Sequence, residues 1–425
     1  MLTNDITSLT ERISVRVLTT NFTNNTNYKT MINSSSTSHL QPLSASFLST
    51  VLTDLVRTPS ENPGAYENDM ADRIVNWFKD TPVEIERVES MPNRYSVGAI
   101  LRGRGDGPRL VLNGHMDTVP VDDPSLWTAE PFGGKIKDGF LYGRGACDMK
   151  AGLAVQIAVA HHLGQHLDRL NGSLVMHFAV GEERAEPGTL SLLDAGYTGD
   201  MGIVTEPTEL KIAAATRGLA PIHIRLNGRS IHASRGHLGI NPSWGLQWVL
   251  EALQEYKAHL EKQDHPLLHH GTCTPTVVQG GVVPNAVADF IDLYVDRRLV
   301  PGETVDAEVE EVRRRLQIAK PESSEIGIEV DVAYNRFDPA EIPVNAPVIN
   351  HLLKSTKNVL GTSAEVYGAP YSSDVRNLVN DAGISAVNFG PGNVAECHCA
   401  DERVEVQQLE DCAKVIADVA ENILL

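Results

Sequence analysis

Four short apolar runs of the chain each lead into a cluster of histidine or acidic side chains. The runs cover residues 110–114, 175–181, 203–205 and 387–392, and the clusters contain His115, Glu182 with Glu183, Glu206, and His398. Helical patterns separate the runs, such as the alanine-rich stretch 149–163, so strands and helices alternate. This alternation predicts an α/β layer with a largely parallel sheet, whose strand ends meet at one edge.

The pattern changes between residues 217 and 333. Strand-like and helical runs follow one another there in the order β-α-β-β-α-β, which is typical of a ferredoxin-like sandwich. A chain of 425 residues is also too long for one ordinary core. We therefore predict a separate domain over residues 217–333, inserted into a catalytic domain formed by residues 43–216 and 334–425.

A glycine-rich stretch at residues 102–107 lies between two strand-like runs. It resembles a nucleotide-binding loop superficially, but it lacks the helix start and the lysine of a phosphate site. We therefore predict a hairpin turn that joins neighbouring strands.

The first 42 residues differ in composition from the rest. Residues 19–37 are dense in Asn, Thr and Ser, which predicts a disordered arm over residues 1–42. This segment lacks the apolar core of a secretory signal. A transit sequence is the alternative, because basic residues there slightly outnumber acidic ones.

Charge and cysteine content limit the partners and the compartment. A formal net charge of −19 argues against nucleic acid or an anionic membrane as the main partner. No apolar run approaches the roughly 18 residues that span a bilayer. Five cysteines in a chain of this length do not form a disulfide framework, so we predict a cytoplasmic protein.

The residue types at the predicted sheet edge suit divalent cations. Asp148 precedes the 149–163 helix and would join His115, Glu183, Glu206 and His398 there. Imidazoles with carboxylates suit zinc, and cobalt or manganese are substitutes. Five protein ligands exceed the need of one tetrahedral catalytic ion, so we predict two ions about 3.5–4 Å apart that share one carboxylate.

Two further acidic residues are placed to support such a centre. Asp117 follows His115 by two residues and can accept the second imidazole N–H. Glu182 offers a second carboxylate beside Glu183, suitable as a general base. Alone, a Glu-Glu pair or a His-x-Asp triplet is usually a surface feature. The recurrence of such clusters at predicted strand ends favours a site.

Residues 110–120 (LVLNGHMDTVP) and 143–152 (GRGACDMKAG) resemble the signature motifs of a zinc amidohydrolase and peptidase family. That family includes acetylornithine deacetylase, succinyl-diaminopimelate desuccinylase, aminoacylase and carboxypeptidase G. Residues 181–183, 204–208 and 398–402 follow in the family's order, and the similarity covers residues 43–425. The resemblance implies a di-zinc peptidase-like catalytic domain of α/β class with an inserted ferredoxin-like α+β domain that serves as lid and dimerisation domain.

The resemblance also assigns the predicted metal ligands to two sites. It implies that Asp148 bridges two zinc ions. His115 and Glu206 would complete one site, and Glu183 and His398 would complete the other. Glu182 would be the general base and later the acid that protonates the leaving amine, and the peptide after Asp148 would be cis.

Further residues match the family's substrate-binding positions. His232 lies in a motif whose histidine donates a hydrogen bond to the oxyanion, and in dimeric members the partner subunit supplies it. Asn285 and Arg298 match positions that hold the substrate carboxylate, since a guanidinium can bind both oxygens. Alone, Arg298 would be interpreted as a surface salt bridge. Tyr371 and Arg376 lie in a variable rim segment and are further candidate contacts.

The chain departs from the family pattern at three positions. Gly181 stands where many members have Asp, which would alter the orientation of Glu182. Cys397 and Cys399 flank His398, where the family more often has Ala before the histidine. We interpret both cysteines as small buried fillers, and contact with metal or sensitivity to oxidation is the alternative.

Together these features predict a two-metal hydrolase that cleaves the amide bond of an N-acyl amino acid. Its partners would be that small molecule, or a short peptide, and a second copy of the chain. Glu206 favours a deacylase or carboxypeptidase, because aminopeptidase-type relatives more often have Asp there. One alternative is a dipeptidase or carboxypeptidase of the same family. An alternative of another class is a non-catalytic homologue that binds a metabolite, although all six ligand and base positions are present.

Overall fold

A nine-stranded mixed sheet dominates the computed structural model, which describes residues 40–425. In chain order the strands of the whole fold are β1 (Glu84–Met91), β2 (Arg94–Arg102), β3 (Arg109–His115), β4 (Lys135–Lys137), β5 (Phe140–Tyr142), β6 (Ser173–Ala179), β7 (Met201–Val204), β8 (Ile212–Thr216), β9 (Gly218–Asn227), β10 (Thr272–Gly280), β11 (Phe290–Leu299), β12 (Gly327–Val332), β13 (Ala340–Glu341), β14 (Val366–Ala369), β15 (Ser385–Asn388) and β16 (Arg403–Glu405). The helices are α1 (Ala45–Val56), α2 (Asn68–Trp77), α3 (Lys150–Gly164), α4 (Gly188–Asp194), α5 (Gly245–Leu260), α6 (Val305–Ala319), α7 (Pro347–Leu360) and α8 (Val406–Leu424).

The large sheet has the order β1-β2-β6-β3-β7-β15-β8-β13, and β14 also pairs with β8. The four central strands, β6, β3, β7 and β15, run parallel, whereas β1, β2 and β13 are antiparallel to their neighbours. The predicted parallel sheet is therefore confirmed at its centre. The outer strands make the whole sheet mixed.

Helices cover both faces of this sheet. Leu110 and Leu112 of β3 point into a core shared with α1, α3 and α8, whereas Val111 points into a second core shared with α4. Burial on both faces explains why the central strands are continuous apolar runs rather than alternating ones. The predicted helix over residues 149–163 is confirmed as α3, one residue further along the chain.

The predicted hairpin at residues 102–107 is wrong. β2 pairs antiparallel with β6 and β3 pairs parallel with it, so β6 lies between the two strands that the hairpin would have joined. Gly103 instead donates its N–H to Gly172 O at 3.0 Å, at the start of β6. The local glycine signal marked a turn correctly, but the pairing partner comes from about 70 residues further along the chain.

A second, fully antiparallel sheet has the order β10-β11-β9-β12. Its strands and the helices α5 and α6 follow in the predicted order, and this strand order is that of a ferredoxin-like sandwich. Val305, Val309, Val312 and Leu316 form the buried stripe of α6 within a hydrophobic core of its own. We call this layer, residues 218–332, the inserted sandwich. Its separate core supports the proposed domain boundaries near residues 217 and 333.

Local signals set the ends of several helices. α7 begins at Pro347, and proline is favoured in the first turn of a helix. The helix ends at Leu360, and the next residue, Gly361, has a left-handed φ of 79° that suits glycine. The N-cap Thr304 of α6 accepts a hydrogen bond from Ala307 N–H, and acidic residues follow in the first turn.

A small three-stranded sheet, β16-β5-β4, joins the C-terminal region to the segment before α3. It was not predicted, because each of its strands has only three residues. Within residues 40–425 no helix is long and apolar enough to cross a membrane. The predicted disordered arm falls almost wholly on residues 1–39, outside the part of the chain that the structure describes.

Candidate metal centre

The carboxyl ends of three parallel strands bring predicted ligands to one edge of the large sheet. His115 is the last residue of β3. Glu182 and Glu183 follow β6 after a short turn, and Glu206 follows β7 by two residues. Because these strands are parallel neighbours, their ends converge, as ligand-binding edges of open α/β sheets do.

Asp148 lies between the two imidazoles at this edge. Its Oδ1 is 3.2 Å from Nε2 of His115, and its Oδ2 is 3.2 Å from Nε2 of His398. The same His398 nitrogen is 3.2 Å from Oε2 of Glu183. A carboxylate that offers one oxygen to each of two imidazoles has the arrangement of a bridging ligand. The peptide between Asp148 and Met149 is cis, as the resemblance implies.

Glu206 and Glu182 lie on the His115 side of Asp148. Nε2 of His115 is 3.7 Å from Oε1 of Glu206 and 4.0 Å from Oε2 of Glu182. One ligand atom from each of these three residues lies within 4.8 Å of the other two. Glu182 is thus close enough to the predicted ligands to exchange a proton with a molecule that they hold.

Asp117 supports this cluster through contacts with His115 and with the Glu182 and Glu183 backbone. It is fully buried, and its carboxylate accepts the N–H groups of Glu182 at 3.1 Å and Glu183 at 3.3 Å. Nδ1 of His115 lies 3.4 Å from the Asp117 carboxylate and 2.9 Å from the Asp117 backbone oxygen. Burial acts to raise the pKa of Asp117, but its contacts with His115 outweigh burial and lower it. Asp117 is therefore a charged group that fixes both the imidazole and the Glu182-Glu183 turn.

Asn62 and Glu186 extend this support, and neither was predicted from the sequence. The Asn62 side-chain N–H groups donate to Asp117 at 3.0 Å and to Glu186 at 2.9 Å. Arg94 forms an ion pair with the same Glu186 oxygen at 2.8 Å. The Glu186 side chain occupies the space that a side chain at Gly181 would need. Gly181, where many family members have Asp, thus leaves room for the carboxylate of Glu186, five residues further along the chain.

Glu402 joins the segment that carries His398 to the segment that carries Asp148. Its Oε1 accepts the N–H groups of Cys147 at 2.9 Å and Asp148 at 3.0 Å. Its Oε2 accepts the N–H of Gly145 at 3.0 Å and forms a buried ion pair with Arg144 at 2.6 Å. One buried carboxylate thereby fixes the backbone in front of the predicted bridging ligand.

The pKa values at this edge show an excess of negative charge. Burial raises the pKa of Glu182 and of Glu206 well above the ordinary value, and neighbouring carboxylates add to this effect. Burial and the charge of Asp148 likewise raise the pKa of Glu183. Hydrogen bonds with Asp148 and Glu183 raise the pKa of His398 to about 11. The cluster therefore favours additional positive charge, either protons or cations.

The donor set fits divalent cations. Oε1 of Glu183 is buried and has no hydrogen-bond partner among the described residues, so it has lone pairs free for an additional ligand. The other donors are imidazole nitrogens and carboxylate oxygens, which suit zinc, cobalt and manganese. Cations would also balance the charge that raises the pKa of the buried carboxyl groups.

A cavity of about 320 Å³ opens onto the cluster. Its walls include the cluster residues Asp148, Glu182, Glu183, Glu206 and His398, together with Arg298, Tyr371, Leu219 and Phe337. The Arg298 guanidinium is held by both oxygens of Asp296, at 2.9 and 3.1 Å. The Tyr371 hydroxyl donates to Pro207 O at 3.0 Å, so its ring is fixed in the cavity wall. The structure therefore brings these two predicted substrate contacts to the cluster.

Arg376 lies beside the cavity in a buried position. Its guanidinium stacks over the Phe337 ring at 4.3 Å and donates to Ser373 O at 3.0 Å. It is 3.5 Å from Asp374 and 4.0 Å from Oε1 of Glu182. The side chain is 8% exposed, so its nearest charged neighbours are protein carboxylates. The structure thus places Arg376 next to the predicted base.

His232 and Asn285 lie together on the inserted sandwich, away from the cavity walls. Both side chains are exposed, and Asn285 O accepts the N–H of Ala233 at 2.8 Å. The His232 ring contacts Ser234 Oγ at 2.8 Å and no group of the carboxylate cluster. Within one chain, the structure does not bring these two predicted residues to the candidate centre.

The sequence matches a family model described as peptidase family M20/M25/M40 over residues 111–422. The chain belongs to this family. The predicted family resemblance and the prediction of a hydrolase are thereby confirmed, and the inserted sandwich belongs to the M20-type fold.

Named relatives and solved structures agree with this membership. The chain is 27% identical to N-formyl-4-amino-5-aminomethyl-2-methylpyrimidine deformylase of Halalkalibacterium halodurans, over 85% of this chain and 91% of the relative. It is 25% identical to a Staphylococcus aureus protein named "probable succinyl-diaminopimelate desuccinylase", over 84% and 92%. Its fold matches the YXEP protein of Bacillus subtilis, titled a dinuclear metal binding peptidase from the M20 family, with a TM-score of 0.68, 20% identity and coverage of 89% and 98%.

Proposed function

We propose that this M20-family chain hydrolyses the amide bond of an N-acyl amino acid. The reaction would use two divalent cations bound to the chain, and zinc is the expected metal. The observation that carries the proposal is the position of Asp148, whose two oxygens each lie 3.2 Å from a different imidazole. His115 and Glu206 would hold one cation, and Glu183 and His398 would hold the other, with Asp148 shared. The dinuclear M20 peptidase of the same fold supports the presence of two cations.

The proton transfers fall to Glu182. When bound, the cations act as Lewis acids on the substrate carbonyl and make a nearby water more acidic. The Glu182 carboxylate faces the cavity, accepts the proton of the attacking water and later gives it to the leaving amine. Asp117 keeps this side chain in place by accepting its backbone N–H.

The cavity supports a small substrate that carries a carboxylate. Its volume of about 320 Å³ is at the low end of small-molecule sites. Arg298 provides a guanidinium in the wall of the same cavity, where the carboxylate of the amino acid product would bind. Tyr371 would pack against the substrate. Relatives named deformylase and desuccinylase support removal of an acyl group rather than cleavage of a peptide.

We also propose a homodimer formed through the inserted sandwich, in which His232 and Asn285 complete the site of the partner. Both side chains are exposed and lie away from their own cavity. The edge strand β10 leaves Val277 and Val278 exposed, and an apolar edge strand is a surface for pairing with another chain. All five cysteines are free, which suits the proposed cytoplasmic location.

The test is a hydrolysis screen with metal-loaded protein. The substrates are acetyl, succinyl, formyl and aminoacyl amino acids, together with a panel of dipeptides. We expect an N-acyl amino acid to be hydrolysed fastest. Faster hydrolysis of dipeptides would favour the peptidase alternative, and no hydrolysis of either class would favour a metabolite-binding protein.

Glu182→Gln tests the assigned base. This change should lower kcat by about 10²–10⁴-fold, because the amide cannot accept the proton, while both metal ions stay bound. The control is Glu209→Gln, an exposed glutamate three residues after Glu206. Metal content is measured alongside turnover. Substantial residual activity of Glu182→Gln would show that another group is the base.

A further inference from the structure

Two thiols lie against each other beside the candidate metal centre. Cys147 Sγ is 3.6 Å from Cys397 Sγ, although the residues are 250 positions apart in the sequence. Each thiol directly precedes a predicted metal ligand, Asp148 in one case and His398 in the other. Both thiols also contact Asn393 O, at 3.3 and 3.7 Å, so the pair is held on one side by the same loop.

We propose that Cys147 and Cys397 form an oxidative cross-linking site, at which a peroxide converts the two thiols into a disulfide. The disulfide would join the two segments that carry Asp148 and His398. This goes beyond the interpretation of Cys397 as a filler. It depends on the contact between the two sulfurs, which the sequence did not reveal.

An oxidant can reach this pair through the cavity. Cys397 is part of the cavity wall, whereas Cys147 is 1% exposed. Hydrogen peroxide is small enough to enter a cavity of about 320 Å³. Cys397 is therefore the thiol that is oxidised first, and Cys147 is the thiol that resolves it.

The chemistry needs the peroxide as its only co-reactant. Cys397 Sγ attacks one peroxide oxygen, the O–O bond breaks, and a sulfenic acid and one water are formed. Cys147 Sγ then attacks the oxidised sulfur, the S–O bond breaks, and the oxygen leaves as a second water. The two thiols lose two electrons and two protons in total, and the peroxide is reduced to water.

Limited access favours slow cross-linking rather than fast sensing. Cys147 is buried and Cys397 is half-buried, and only Cys397 lines the cavity. Peroxide can therefore reach the pair from one side only, so the cross-link should need sustained exposure.

Closing the disulfide should move Cys397 rather than Cys147. The sulfurs must approach to about 2.05 Å, which is about 1.5 Å closer than they are. Cys147 is held because Glu402 accepts its N–H at 2.9 Å and Gly392 packs against its sulfur. The neighbouring His398 side chain is half exposed and has room to move.

A shift of Cys397 would draw His398 away from Asp148 and Glu183, which are now 3.2 Å from its ring. This consequence rests on the proposed two-metal function, because His398 would lose its cation. The cross-link itself does not rest on that function.

The experiment exposes the metal-loaded, full-length protein to hydrogen peroxide over several hours. Peptide mapping by mass spectrometry without reduction should detect a peptide pair joined through Cys147 and Cys397. Bound metal should fall by about one ion of two per chain, since a single ligand set is disturbed. Dithiothreitol should abolish the joined peptide, and metal added with it should restore occupancy.

Two variants separate this site from its neighbour. Cys397→Ala should form no cross-link and should retain its metal under peroxide, relative to its own untreated sample. Cys399→Ser removes the exposed thiol two residues away and should behave like the unmodified chain. A disulfide between Cys397 and Cys399, or oxidation without any cross-link, would overturn the proposal.

Detection of the cross-linked peptide by mass spectrometry does not depend on which substrate is hydrolysed. An error in the proposed function would therefore not be mistaken for absence of the cross-link. If the cross-link formed and metal content stayed unchanged, the inferred displacement of His398 would be wrong.

Discussion

Glu402, four residues after His398, contacts the segment that carries Asp148. Its two carboxylate oxygens accept three backbone N–H groups in the segment 145–148 and bind Arg144. Burial raises the pKa of Glu402, and Arg144 opposes this. Such outer contacts orient metal ligands and are known to affect metal affinity strongly.

We therefore predict that Glu402→Gln lowers metal affinity by about 10–100-fold, because an amide offers one acceptor oxygen where the carboxylate offers two. Competition with a chelator measures the affinity. The matched control is Glu405→Gln, at an exposed position of the same short segment. Equal metal affinity in both variants would show that the Glu402 contacts are not needed for the centre.

His177 is a buried residue with a separate role. Asn113 Nδ2 donates to its Nδ1 at 3.2 Å, and its Nε2–H donates to Tyr197 O at 2.6 Å, an arrangement that fits the neutral ring. Burial lowers the pKa of His177 to about 4, from an ordinary value of 6.5. Between these pH values the unfolded chain binds more protons than the folded one, so stability falls as the pH falls.

We predict that His177→Gln removes this part of the pH dependence. From pH 7 to pH 4 the unmodified chain should lose about 3 kcal/mol more free energy of unfolding than the variant, at about 1.36 kcal/mol per pKa unit. Urea unfolding at a series of pH values measures the difference. Parallel curves for the two proteins would contradict the prediction.

At the residue scale, the sequence indicated the side chains that carry the chemistry and the supporting Asp117, but not the contacts made by the more distant supporting residues. His115 and Glu183 stand out because they follow apolar strands, and Asp148 stands out because it lies just before a predicted helix. Asn62 carries no such signal, and Glu402 was noted only as part of the family-like segment 398–402. Their supporting roles depend on contacts with residues 55 and about 255 positions away. No local pattern encodes a contact of that range.

At the scale of elements, β11 separates two adjacent arginines by function. Successive side chains of a strand point to opposite faces. Arg297 points into the inserted sandwich, is fully buried, and binds Glu303 and Glu308 at 2.7 Å each. Arg298 points the other way and lines the cavity.

We predict opposite effects of two matched changes on this strand. Arg297→Leu should destabilise the fold by about 3–5 kcal/mol, because it breaks the ion pairs of a fully buried guanidinium and leaves the half-buried carboxylates of Glu303 and Glu308 without their partner. Arg298→Leu should leave stability nearly unchanged and raise KM about 10–100-fold, through loss of a charge-assisted contact with the substrate. Thermal unfolding and steady-state kinetics of both variants distinguish them, and a reversed pattern would contradict the assignment.

The sequence predicted long elements better than short or distant pairings. The position of α3 was predicted to within one residue, and the order of strands and helices in the inserted sandwich was predicted correctly, since these long elements have clear apolar patterns. The short strands β4, β5 and β16 were missed. The hairpin after β2 was wrong because a local glycine signal cannot show that β6 inserts between β2 and β3.

For the whole molecule, the exposed position of His232 and the interior position of Glu182 make the proposed dimer testable. If the partner supplies His232, a chain lacking Glu182 can still assist a chain that has it. Glu182→Gln and His232→Gln should therefore each be nearly inactive when alone.

We predict that a mixture of these two variants, unfolded and refolded together, regains activity. With random pairing, half of the dimers are mixed and each has one intact site of two, so about a quarter of normal activity should return. Refolding each variant separately before mixing is the control. No recovery in the jointly refolded sample would indicate that each chain supplies its own His232.

The order of the central strands has a consequence for synthesis on the ribosome. β3, β6 and β7 precede residue 205, but β15, His398 and Glu402 follow the inserted sandwich in the sequence. A nascent chain can thus form most of the acidic edge long before the histidine and the carboxylate that complete it have been translated. Newly made molecules should therefore acquire their full set of metal ligands only after the inserted sandwich and β15 have been translated.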